Sequence, residues 1–164
     1  MKMQYVYGEY AFIKATESSE FAAAKELFIE YAKSLDFDLC FQNFEDELNV
    51  INIMYNEPDG GLILIKEILT EKYVGCAGIR RIEDRISELK RMYIQEDHRH
   101  KGLGEQLLNQ SINLARDLGY EKIRLDTVST MVSAIKLYRA KGFTEIDSYT
   151  YNPRADVIFF ELEL

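Results

Sequence analysis

No apolar stretch in the 164 residues approaches the roughly 18 needed to cross a bilayer, and the first residues, MKMQYVYGEY, lack the apolar centre of a secretory leader. The expectation is a cytoplasmic protein with no membrane partner. Cysteine is scarce too. Cys40 and Cys76 are too few for a disulfide framework, each sits among apolar residues, and neither has metal-ligand spacing, so a reducing compartment fits. Proline occurs only at Pro58 and Pro153, and no Ser/Gly linker, repeat or low-complexity tract interrupts the chain, so residues 1–164 read as a single domain. Basic residues are outnumbered. Twenty Lys and Arg against 28 Asp and Glu give a net charge of -8, which argues against nucleic acid as a partner, because phosphate backbones demand a dominant basic field. The surplus is local: residues 1–61 carry 4 basic and 12 acidic side chains, and residues 62–164 carry 16 of each.

What is present is ordinary core material, 47% hydrophobic residues, enough for one sizeable core. Residues 5–14 suit a strand, and Ser18 suits the N-cap of a helix running to about Ser34 through Phe21, Lys25 and Phe28. Phe41, Phe44, Leu48, Ile51 and Tyr55 recur at helical spacing and predict a second helix over 36–56, ended by Asn56-Glu57-Pro58-Asp59-Gly60-Gly61. Apolar segments at 62–68, 73–82 and 86–94, separated by charged turns, predict an antiparallel meander. Residues 102–118 place Leu103, Leu107, Leu108, Ile112, Ala115 and Leu118 on one helical face, with Gly119 as the stop. A strand over 122–126, a helix over 131–141 ended by Gly142, and a strand over 157–164 complete the order. The fold class is mixed α/β (α+β), a largely antiparallel central sheet flanked by helices.

Chemistry concentrates where the strand Glu88-Leu-Lys-Arg-Met-Tyr-Ile94 leads through a polar loop to Arg99-His100-Lys101-Gly102-Leu103-Gly104 and straight into a helix. The first N–H groups of a helix have no internal partners, and glycines let a ligand approach the backbone, so such a junction suits an anion. A nucleotide P-loop is excluded because Glu105 and Gln106 follow Gly104 where Lys-Ser/Thr is needed; a dinucleotide fingerprint fits poorly because Leu107 replaces the third glycine. The plain alternative is that Gly102 and Gly104 only turn the chain into its helix.

Arg99-x-x-Gly102-x-Gly104 resembles the acyl-CoA pyrophosphate loop of the GNAT superfamily of N-acetyltransferases, Gln/Arg-x-x-Gly-x-Gly/Ala. Downstream, Ala134-Ile-Lys-Leu-Tyr138-Arg-Ala-Lys-Gly142-Phe143 resembles its second signature, Ala-x-x-Leu-Tyr-x-x-x-Gly-Phe. With Glu88-Leu-Lys-Arg-Met-Tyr-Ile, Arg124-Leu-Asp-Thr127, Tyr149 and Asn152-Pro153, the likeness spans roughly residues 62–164 and is to small bacterial-type acetyltransferases. It implies that backbone groups of Met92 to Ile94, Tyr93 included, hold the pantetheine arm. N–H groups of Arg99, His100, Lys101, Gly102, Leu103, Gly104 and Glu105 would hold the pyrophosphate of acetyl-CoA. Met131 stands where the superfamily often has Asn, and Ser133 is the candidate to replace that contact.

Acyl transfer needs a proton donor for the departing thiolate and a route for the amine's proton. The resemblance assigns the acid to Tyr138, a phenol of pKa about 10 facing a thiol near 8.5; the alternative is a core aromatic on an apolar helical face. Glu88 is the candidate base, directly or through water. It lies six residues before Ile94, so in an unbulged strand both side chains share a face; the alternative is a carboxylate paired with Lys90 or Arg91. Asp126, at the end of a strand beside the expected cofactor cleft, is a further candidate base and an expected acceptor-binding residue. Tyr149, Tyr151, Asn152 and Pro153 are implied acceptor-pocket residues. His98 and His100 have no third ligand, so no metal is expected. Cys76 has no evident base and reads as a core residue, which makes the transfer direct. These residues imply an enzyme that moves an acetyl group from acetyl-CoA to a primary amine of a small molecule or peptide. The alternatives are a non-catalytic acyl-CoA-binding or sensor domain and an interaction module. Glu45, Asp46 and Glu47 are expected to border the acceptor side and favour a cationic amine, or else to form a solvated acidic face. Monomer and homodimer both stay open.

Overall fold

The computed structural model describes residues 4–164, apart from the side chain of Phe41. The expected first strand is a hairpin, β1 (Gln4–Tyr7) and β2 (Tyr10–Lys14), because the chain reverses at Gly8 and Glu9 and pairs Tyr7 with Tyr10. Helix α1 (Ser18–Ser34) begins one residue earlier in its capping than expected. Glu17, not Ser18, is the cap, and the Glu20 carboxylate accepts the N–H groups of Thr16 and Glu17 at 2.8 and 3.0 Å.

The predicted long helix over 36–56 is instead a 3-10 turn at Cys40–Gln42 followed by two short helices, α2 (Phe44–Asn49) and α3 (Ile51–Met54). The helical spacing is real, since Leu48, Ile51 and Tyr55 are buried together, but the backbone breaks at Asn43 and Val50. Side chains here compete for backbone groups: the Asp38 carboxylate takes the Cys40 N–H at 2.8 Å, which holds the chain in a turn. Phe41, one of the residues that suggested the helix, has a side chain outside the described set.

The meander forms as expected from β3 (Gly61–Glu67), β4 (Tyr73–Glu83) and β5 (Ile86–Ile94), antiparallel throughout. Then come α4 (Leu103–Asp117), β6 (Lys122–Val128), α5 (Val132–Ala140), β7 (Thr144–Ile146) and β8 (Val157–Glu163). Strand β7 was not expected; three residues carry no readable alternation, and pairing with β8 defines it. Among the described residues eight strands form one sheet in the order β1-β2-β3-β4-β5-β6-β8-β7. Leu103, Leu107, Leu108 and Tyr138 pack α4 and α5 on one face, while Phe21, Phe28, Leu48 and Tyr55 pack α1 to α3 on the other. Among the described residues no helix is long and apolar enough to cross a membrane.

Two features of β5 shape the space beside it. Its pairing with β6, the one parallel pair in the sheet, covers only Ile86↔Lys122, Ser87↔Ile123 and Glu88↔Arg124, after which the strands part. Its pairing with β4 also slips: Cys76 faces Tyr93 and Gly78 faces Lys90, so Ala77 alone opposes Arg91 and Met92. Arg91 sits at φ 57, a left-handed conformation that costs a side-chain-bearing residue about 1–2 kcal/mol. The extra residue flips the parity of the strand. Leu89, Met92 and Ile94 therefore lie on the α4 face, whereas Tyr93 lies on the α1 face. The expectation that Glu88 and Ile94 share a face is thus overturned, because it assumed an unbulged strand.

Candidate active site

Beyond Glu88 and Arg124 the parted strands leave a narrow cleft of about 50 Å³ through the sheet. Strand β5 gives it Leu89, Lys90 and Arg91, and β6 gives it Asp126 to Val128. Tyr31, Phe37, Leu39 and Gln42 close it from the α1 side, and Met131 and Asn152 from the other end. Two loops meet above it: the Arg154 guanidinium lies 4.3 Å from the centre of the Phe37 ring and 3.9 Å from Asp36.

At the far end of β5 the backbone runs to the start of α4. His100 (φ 62) and Gly102 (φ 80) both adopt left-handed conformations, a pairing that curls the loop, and α4 begins at Leu103 with no side-chain cap. Gln106 is the first residue whose N–H returns to the helix, at 3.3 Å from the Gly102 carbonyl. The N–H groups of Leu103, Gly104 and Glu105 are the ones a helix start leaves for an anion. Exposed Arg99 and Lys101 add positive charge; Arg99 Nε donates to the Ile94 carbonyl at 2.8 Å, and Lys101 Nζ donates to the Tyr10 hydroxyl at 3.2 Å. His98 shares that hydroxyl through Nδ1 at 2.9 Å, which gives it a place in the loop scaffold. Ser133 is exposed in the first turn of α5, and Met131 lines the cleft.

The two loop glycines differ in what they need. A Cβ at Gly102 would meet the Tyr7 hydroxyl at 2.8 Å on a backbone already at φ 80, whereas a Cβ at Gly104 would find Leu137 and Ile94 at 3.7 and 3.9 Å. Gly102→Val is therefore expected to weaken binding of coenzyme A by about 10-fold or more, given strain of about 1–3 kcal/mol at such positions, while Gly104→Ala stays within a few-fold. Calorimetric titration of both variants measures this; equal affinities for the two would contradict it.

Tyr138 is buried at 7% exposure, its ring packed against Phe143 and Phe160 with centroids at 5.7 and 6.1 Å. Burial raises its pKa, and the nearby Tyr31 and Asp126 raise it further, so the phenol holds its proton. Glu88 is buried on the other side of the sheet. Its Oε1 accepts Arg80 Nε and Nη2 at 2.9 and 2.8 Å, and its Oε2 accepts the Tyr149 hydroxyl at 2.6 Å. Burial alone would raise the Glu88 pKa, but Lys90, Arg80 and the Tyr149 hydrogen bond outweigh it and hold the carboxyl below its ordinary value. Asp126 accepts Asn152 Nδ2 at 3.3 Å and lines the cleft. The sequence-derived set thus divides into Tyr138 on the α5 face, Glu88 with Tyr149, and Asp126 with Asn152. Tyr151 is exposed.

Several residues were missed. Lys90 and Arg91 are both 6% exposed, and Gln42 Oε1 accepts Lys90 Nζ at 2.9 Å and Arg91 Nη1 at 2.8 Å. Glu47 is buried in a two-pronged ion pair with Arg91, Nε and Nη2 at 2.9 and 2.8 Å. Held by Arg91, Glu47 lies outside the residues that line the cleft; Glu45 and Asp46 are exposed. Cys76 is fully buried, burial pushes its thiol pKa up, and its Sγ donates to the Arg91 carbonyl at 3.3 Å, so it is a support of the bulge.

Residues 21–143 match the model of the acetyltransferase (GNAT) family. The chain is 32% identical over 141 residues to a Schizosaccharomyces pombe protein described as an uncharacterized N-acetyltransferase, covering 85% of this chain and 86% of that one. An acetyltransferase of the GNAT family from Staphylococcus aureus Mu50 superposes with a TM-score of 0.76 at 22% identity, over 94% and 98% of the two chains. An acetyltransferase of Bacillus anthracis in complex with acetyl coenzyme A superposes at 0.56 and 21% identity, over 66% and 65%.

Proposed function

The chain belongs to the acetyltransferase (GNAT) family, and from that premise we propose that it transfers an acetyl group from acetyl-CoA to a primary amine of a small molecule or peptide. The observation that carries this reading is the joint placement along β5 of a strand pair that parts beyond Glu88 and an uncapped helix start that follows Ile94, with Tyr138 buried on the α4 and α5 face of the sheet. The residues present fit acetyl-CoA. The N–H groups from Arg99 to Glu105 would take its pyrophosphate, the backbone of Met92, Tyr93 and Ile94 its pantetheine arm, and Ser133 a polar contact beside Met131. Bound acetyl-CoA supplies a thioester, an acyl carbon open to attack and a thiolate that can leave.

For each acetyl group moved, a carbon–nitrogen bond forms, the carbon–sulfur bond breaks, the nitrogen loses one proton and the sulfur gains one. Tyr138 gives the sulfur its proton; its raised pKa keeps that proton available at neutral pH. The nitrogen's proton passes to a cleft carboxylate. Asp126 suits this better than Glu88, whose two oxygens are already engaged by Arg80 and Tyr149. An exposed Cys40 and a buried Cys76, both free thiols, suit a cytoplasmic setting.

Incubation with acetyl-CoA and a panel of primary amines, with release of free thiol as the readout, tests the reading. Turnover on at least one amine is expected. Stabilisation by coenzyme A, about 2.7 kcal/mol at 100 times its Kd, without turnover on any amine would replace it with a non-catalytic acyl-CoA-binding domain.

A further inference from the structure

Charge in the cleft does not close on itself. Arg80 is matched by Glu88 and Arg91 by Glu47, each at 2.8 Å. Lys90 has only the distant edge of that same Glu88, at 3.9 Å, and Asp126 meets no cation among the described residues; they stand one on each parted strand. The register places them opposite each other: Glu88 pairs with Arg124, and Lys90 and Asp126 lie two residues further along their own strands, hence on the same face. Both line the cleft.

Lys90 is 6% exposed, and its ammonium has three hydrogens to place. One goes to Gln42 Oε1 at 2.9 Å; Glu88 Oε1, at 3.9 Å, lies beyond hydrogen-bond range. The two cationic donors on Gln42 Oε1 fix the amide's orientation and leave its Nε2 as a further donor beside Lys90. Burial pulls the Lys90 pKa down, offset in part by Glu88. A buried ammonium with unmet donors is costly unless an anion meets it.

From the placement of Lys90 with Gln42 on one wall and Asp126 with Asn152 on the other, we infer that the acceptor is an α-amino acid. Its carboxylate lies on Lys90 and its amino group against Asp126. The inference rests on the acetyl-transfer reading above and names the substrate class of that same site. It narrows the expectation of a cationic amine to one that also carries a carboxylate, which would give Lys90 a hydrogen-bonded anion where Glu88 stands off at 3.9 Å.

Matched acceptors test it: L-phenylalanine against phenethylamine, and L-leucine against 3-methylbutylamine. In the unmodified protein kcat/KM is expected to favour the amino acid of each pair by about 10-fold or more, the scale of a hydrogen bond between charged groups. Lys90→Gln should bring that ratio close to one, and Lys90→Arg should retain most of it. Each ratio is internal to one variant, so loss of fold or general activity cancels, and the variant comparison cancels the difference in amine basicity. A ratio at or below one in the unmodified protein, or a ratio unchanged by Lys90→Gln, overturns the inference while leaving acetyl transfer intact. If no acceptor is acetylated, the acetyl-transfer reading fails separately. Calorimetric affinities for the same four compounds in the presence of coenzyme A then decide: preference for the amino acids, lost in Lys90→Gln, supports the inference, and no preference ends it.

Discussion

Replacing Tyr138 by Phe is expected to lower kcat by about 10²- to 10⁴-fold, the range for loss of a positioned general acid, while the Kd for coenzyme A changes by no more than a few-fold. The substitution removes one hydroxyl and keeps the ring that packs on Phe143 and Phe160, so the fold has no reason to respond. The hydroxyl is the informative group. Its pKa is raised, first by burial and then by Tyr31 and Asp126, so it stays protonated where the unperturbed phenol would begin to ionise. Activity of the unmodified enzyme should therefore show no alkaline decline from this group up to about pH 10, the ordinary tyrosine value. Single-turnover rates with saturating acetyl-CoA provide the check. An unchanged rate in Tyr138→Phe would return Tyr138 to the role of a core aromatic on an apolar helical face.

How far the sequence could be read depended on how local the determining interactions are. Helix α4 was legible because its apolar stripe repeats over four turns, and the junction before it because the glycines and the basic residues are adjacent in the chain. The broken helices between Asn43 and Tyr55 were not, since the spacing of apolar residues survives a kink that Asn43 and Val50 introduce. The bulge at Arg91 left no trace at all. Positive φ is usually announced by Gly or Asn, and here an arginine adopts it because tertiary contacts hold it there. Counting residues from Glu88 to Ile94 consequently gave the wrong face for one of them. In the sequence Lys90 stands only as a neighbour for Glu88, because its contact with Gln42 spans 48 positions. Asp126 and Asn152 were named separately as acceptor residues; their meeting depends on the loop before β8 folding back over β6.

The acidic surplus of residues 1–61 leads to the second large effect. Of the run Glu45-Asp46-Glu47, two members are solvated and the third is buried at 2% exposure against Arg91. Glu47→Ala would leave the Arg91 guanidinium buried with Gln42 Oε1 as its remaining hydrogen-bonded side chain and the Phe44 ring 5.1 Å from its centre. Removing one partner of a buried ion pair costs about 3–5 kcal/mol, because the surviving charge is neither hydrated nor matched. In a chain of this length that corresponds to a fall in Tm of about 6–20 °C. The effect should reach function as well. Arg91 holds its left-handed conformation through this pair, and the bulge sets the direction of Lys90 on one side and Met92 on the other. A loss of less than about 1 kcal/mol in denaturant unfolding, the level of an exposed pair, would mean that Arg91 finds another partner or reaches water. The double substitution Glu47→Leu with Arg91→Met removes both charges and should recover part of the stability, less the cost of a methionine at positive φ. What it should not recover is the acceptor preference, because Gln42 loses one of the two cations that orient it toward Lys90. Stability and selectivity then part company, and that separation distinguishes an ion pair that merely holds the core from one that also aims the acceptor site.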